Sequence, residues 1–199
     1  GTISVHTTGN GSAWLTLAGT GTTLTLAESN VGSGLLRVTA QKLNQSGAIT
    51  AGTLSLAGAS DDTTLNDAGN QIGALNGQTK NLTLNNTRDL ELGGMNVVGN
   101  LNLVNDGDVT NSGHLYLNGT TTINAAGHDV SLDYSTNYIT GAFSTTAHDL
   151  NLRNAGWTTL GATTLTGNLS LDGGRDITQS APLNVAGSTT FKTTYRHIT

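Results

Sequence analysis

Cysteine is absent from the 199 residues. That excludes a disulfide framework, a thiolate nucleophile and a thiolate metal site. A single proline, and 27 glycines without a three-residue period, exclude collagen. Charged residues make up only 11% of the chain and aromatic residues 4%, so the solubilising surface must be built from Asn, Thr, Ser, Gln and Gly, a solenoid-like composition. The 8 Lys and Arg are scattered and outnumbered by 13 acids, for a net charge of −5. Without a basic patch to neutralise phosphates, nucleic acid and an anionic membrane surface are not expected partners. No apolar run reaches membrane-spanning length, and the opening "GTISVHTTGNGS" has neither the charged nor the apolar region of an export signal. Because the first residue already lies inside a repetitive pattern, the chain is expected to be a piece of a longer one.

What is present is repetition. The stretch from Gly99 to Ala125 aligns without a gap on Gly167 to Thr193, and 11 of the 27 positions are identical. Among them are Leu101 with Leu169, Asp108 with Asp176 and Thr121 with Thr189. The offset is 68, and further matches such as Asn70 with Asn137 and Leu84 with Leu152 extend the modularity. Two full modules, 34–98 and 99–166, are flanked by partial ones at 1–33 and 167–199.

Triplets such as Leu24-Thr-Leu26, Leu82-Thr-Leu84 and Leu101-Asn-Leu103 alternate apolar and polar residues with the strand period of two. Asn, Gly, Asp and Ser separate them at short, regular intervals, and no window carries an apolar stripe of helical period. Self-similarity of this kind predicts a right-handed parallel β-helix with essentially no α-helix. A module of about 67 residues divides into three coils of about 22, each with three strands, giving about nine coils and a rod of about 43 Å at the usual inter-strand spacing. On this reading the repetition serves like-on-like stacking of neighbouring coils. A β-sandwich would also supply many short strands, but it needs no 27-residue gapless internal match.

The stretches "GNLSLDGGRDITQSAPLNVAGSTTF", "GNLNLVNDGDVTNSGHLYLNGTTTI" and "DTTLNDAGNQI" resemble the repeat region of filamentous-haemagglutinin-type exoproteins. The resemblance covers nearly the whole chain. It implies a large bacterial secreted or cell-surface protein, exported by two-partner secretion or an autotransporter route through an outer-membrane transporter. In that family a β-helical shaft serves adhesion, and related contact-dependent inhibition proteins carry a toxin at the far end. No segment matches the family's secretion-signal motifs or a toxin domain, so the chain reads as shaft.

Candidate chemistry is sparse. Asp89, Asp108, Asp129, Asp149 and Asp176 each precede an apolar strand residue. Paired carboxylates do acid-base work on polysaccharides, which keeps a β-helical polysaccharide lyase or hydrolase as an alternative. Aspartate entering a strand is also ordinary turn chemistry, repeated because the turn repeats, and that reading is preferred. His128 and His148 stand close to one coil apart along the chain and could stack as metal ligands, yet Arg88 and Arg175 fill the same slot before aspartate, as in a solvated turn. The chain is read as non-enzymatic, with no metal, cofactor or small-molecule substrate.

The module alignment assigns the aromatic residues a face. Phe143 and Phe191 stand opposite Leu75 and Ile123 and are expected in the core. Tyr116, Tyr134, Tyr138 and Trp157 stand opposite Asn184, Asp67, Gln71 and Asp89. Amphipathic rings at polar positions are expected to face outward and to offer a contact surface for a host-cell or bacterial glycan or protein. If Tyr116 and Tyr138, separated by the expected length of one coil, occupy equivalent coil positions, they form an aromatic strip.

Overall fold

A computed structural model describes residues 1–194 and 196–199. It contains no helix among the described residues, and every registered strand pair is parallel. The strands form two sheets of 11 and 13 members, each with a main path of ten strands. The chain alternates between the sheets as it climbs, so the molecule is a parallel β-helix of about ten turns. Among the described residues no helix is long and apolar enough to cross a membrane.

Alternation fixes which side of each strand is buried. Leu101–Asn105 and Leu150–Asn154 both follow the pattern of a buried residue, then an exposed one, and end on a buried asparagine. Leucine, isoleucine and valine from all rungs join in one continuous core, with Phe143 fully buried in it and Phe191 packed against it. Each such leucine stabilises the fold by about 1.5–3 kcal/mol relative to exposure.

At the corners, buried asparagine side chains add to the backbone bonds between coils, such as Thr87 N–H to Asn70 O at 3.0 Å and Asp106 N–H to Asn86 O at 2.9 Å. Asn86 turns inward, where its Oδ1 accepts the Ile72 N–H at 2.7 Å and its Nδ2 donates to Arg88 O at 2.8 Å and to Asn105 Oδ1 at 2.9 Å. Asn154 repeats the arrangement, accepting from Ile139 N at 2.9 Å and donating to Trp157 O at 2.9 Å. These bonds satisfy buried backbone groups at the strand starts, Ile72 and Ile139, and in the turns, Arg88 and Trp157, which removes the penalty of burying them unpaired.

Three sequence expectations are corrected. The coils number ten rather than about nine, because most are shorter than the expected length, as the successive register partners Leu82, Leu101 and Thr121 illustrate. Three separate strands per coil give way to two sheets whose longer strands bend round a corner. Leu90–Val97 pairs with Val109–Asn111 through its first half and with Leu115–Leu117 through its second, with a register shift between Leu92 and Met95.

The third correction concerns the repetition itself. Leu101 and its sister Leu169 lie in different sheets, and so do Val109 and Ile177, Leu115 and Leu183, and Ile123 and Phe191. Between Leu101 and Leu169 the chain takes three steps up the first sheet, through Thr121–Asn124, Ala142–Ala147 and Thr158–Leu165, and then crosses to the second. A module is therefore three coils plus about half of another. Sister residues do not stack; both sheets impose the same inward alternation, and one module sequence serves either of them.

Candidate docking surface

Tyr116 and Tyr138 are register partners on the strands Leu115–Leu117 and Tyr138–Ile139. Their rings stack with centroids 5.7 Å apart and planes 10° off parallel, and the His114 ring adds a second contact 6.2 Å from that of Tyr116. Parallel pairing puts side chains of adjacent coils one strand spacing apart, close enough for the rings to cover each other. Above Tyr138 the aromatic column ends on Gly156, where a Cβ would lie 3.1 Å from the tyrosine ring.

The four aromatic residues marked in the sequence do not form one strip. Tyr116 and Tyr138 do. Tyr134 is 40% exposed in a turn outside the stack, its N–H reaching Asn111 Oδ1 at 3.5 Å. Trp157 is 55% exposed and holds the Arg175 guanidinium 4.3 Å from its ring centroid, a cation–π contact rather than an aromatic one.

Below Tyr116 the same column continues through Asn96 and Gln78. Here the bent strands leave a groove of about 800 Å³, with Arg37 at its far end and His114 and Tyr116 at the near one. Its floor includes Gly58, Gly77 and Gly94. Gly77 has φ +116°, and a Cβ there would strike the Leu56 carbonyl, so no other residue fits without displacing the rung below. Arg37, Gln78, Asn96 and His114 were not singled out in the sequence. They are scattered widely along the chain, and only the observed register brings them together.

The aspartates form a ladder along one corner. Asp89 Oδ1 accepts the Asp108 N–H at 3.0 Å, Asp108 accepts from Asp129 at 3.0 Å, and Asp129 accepts from Asp149 at 3.1 Å. Each carboxylate caps the turn of the next coil, which is the repeated turn chemistry expected of them. Asp176 stands on the other corner and accepts from His197 N at 3.1 Å, as the three-and-a-half-coil module requires.

His128 and His148 ride on this ladder, each paired with a carboxylate of the coil below, and His148 also with its neighbour Asp149. His128 Nε2 lies 3.2 Å from Asp106 Oδ1, and His148 Nδ1 lies 2.9 Å from Asp129 Oδ1 and 3.6 Å from Asp149 Oδ1. The hydrogen bond to Asp129, followed by the charge of Asp149, raises the His148 pKa above its ordinary 6.5. Ligand atoms of Asp129, His148 and Asp149 lie within 4.8 Å of one another, a proximity that the ladder bonds account for.

A family model described as repeats of unknown function matches residues 11–76, 79–146 and 147–199. The starts of its second and third repeats reproduce the offset of the gapless internal match. Neither the curated proteins nor the solved structures contain a match.

Proposed function

The chain belongs to a family of repeats of unknown function (DUF5649), and we propose that it is a structural and adhesive shaft segment of a large bacterial secreted or cell-surface protein. The shaft positions or mediates attachment to a host-cell or bacterial surface, and it reaches the outside through an outer-membrane transporter. The observation that carries this reading is the architecture: ten parallel rungs on one continuous core make a stiff spacer whose length grows with every repeat. The Tyr116–Tyr138 stack, half-exposed on the outer wall, supplies the contact that turns a spacer into an adhesive element. The likeness to haemagglutinin-type repeats points the same way.

Beads coated with the purified chain test the reading against cultured epithelial cells and bacteria. Wild-type beads attach, and Tyr116→Ser with Tyr138→Ser lowers attachment about fivefold or more, as loss of an aromatic anchor does, while circular dichroism stays that of a β-fold. Equal attachment by the double variant would remove the tyrosines from the contact. Wild-type beads that attach to nothing would contradict the adhesive function and leave a spacer.

A further inference from the structure

We infer that the groove below Tyr116 binds an acidic oligosaccharide, a hexuronate-rich chain laid along the rod axis. The inference rests on the docking reading above and gives its partner a chemical class. Charge is the first observation. A second depression of about 340 Å³, which shares Gln78 and Asn96 with the groove, is lined by Lys80. Together the two surfaces carry Arg37 and Lys80 and no aspartate or glutamate, in a chain where acids outnumber Lys and Arg 13 to 8. A surface that gathers cations on a net-negative molecule is complementary to an anion.

Shape and chemistry narrow the anion to a sugar polymer. The groove spans five successive rungs, from Arg37 to Tyr116, roughly 19 Å at the usual strand spacing. Arg37 in the groove and Lys80 in the depression beside it stand two rungs apart rather than gathered round a point, which suits a polymer with repeated carboxylates better than a single phosphate. Strands on both sides of each floor segment already pair with it, so an extended peptide finds no free edge to add to. Recognition falls to side chains: the Gln78 and Asn96 amides suit hydroxyl groups, Arg37 and Lys80 suit carboxylates, and the amphipathic Tyr116 ring offers a flat surface to the apolar face of a pyranose.

Calorimetry on the 199-residue chain tests this with oligogalacturonate, its methyl ester and poly-glutamate. The acid form binds, and the ester binds about tenfold more weakly, since esterification removes the charge-assisted bonds. Arg37→Gln weakens binding by about the same factor. Gly94→Leu fills the groove and abolishes binding without altering the melting curve, because a Cβ at Gly94 meets nothing nearer than His114 O at 3.8 Å. No binding of oligogalacturonate, equal affinity for acid and ester, or poly-glutamate bound as tightly as the sugar would each overturn the inference. Beads that attach to cells through the tyrosines while the chain ignores oligogalacturonate would overturn this assignment alone. A chain that binds oligogalacturonate while its beads attach to nothing would instead overturn the adhesive function.

Discussion

Leu101 and Leu169 are equivalent in the repeat, lie in different sheets and are only 3% and 1% exposed. A charge at either meets the same continuous core. Leu101→Asp or Leu169→Asp buries an unpaired carboxylate and removes packed methyl groups, and it should leave the chain unfolded or insoluble, a loss above about 4 kcal/mol. Asp108→Asn retains the carbonyl oxygen that caps Asp129 N and should cost below about 1 kcal/mol. Urea melts of the three variants compare them, and equal destabilisation would refute the inward and outward assignments. His148 adds a pH dependence. Its folded pKa lies above 6.5, so its contribution is fully present below the unfolded value and is lost as pH rises through the raised one. The His148→Gln variant should melt below wild type at about pH 5 and close the gap at about pH 8, a small effect because the ring is half-exposed. The leucines and the capping aspartates were legible in the sequence, since alternation and turn chemistry are local. The buried asparagines were not: Asn is a turn former by composition, and whether it turns inward depends on a corner that only the coil geometry creates.

Strands were legible wherever a leucine triplet stood between turn residues, but the rungs were not. A period of two reports which side of a strand faces inward; it says nothing about which strand lies above it. Coils vary in length, the one between Leu75 and Leu92 being shorter than the one between Thr2 and Thr25, because residues enter at corners without disturbing the strands. The bend at Gly93 and Gly94 was equally silent, since the glycines there resemble any other turn. The element-scale test is deletion. Removing residues 102–169 takes out one full period of the repeat and joins Leu101 to Ser170 and Leu171, preserving the alternation. The shortened chain should still melt cooperatively as a β-rod, with a lower midpoint because repeat stability sums along the stack. Removing residues 102–168 joins Leu101 to Leu169 and turns the rest of the strand inside out. Circular dichroism melts should show a folded chain in the first case and a severely weakened one in the second.

At the scale of the whole molecule, the half-coil in each module decides where any surface feature recurs. A residue and its sister project from different faces, so the aromatic column at Tyr116 has no counterpart on its own face at Asn184. The docking groove exists because Gln78, Asn96 and Tyr116, from three successive rungs, fall into register, with Arg37 on a neighbouring column that runs through Ser55 to Asn76, and it would vanish under the like-on-like stacking that the sequence suggested. That register is the central claim, and a chain without cysteine allows it to be read directly. Two proteins suffice: Tyr116→Cys with Tyr138→Cys, and Tyr116→Cys with Asn184→Cys. Adjacent parallel strands bring Cα atoms to about 4.8 Å, within reach of a disulfide. Mild oxidation followed by mass spectrometry of the monomer should find the first pair cross-linked and the second free; a cross-link between 116 and 184, with none between 116 and 138, would contradict the account.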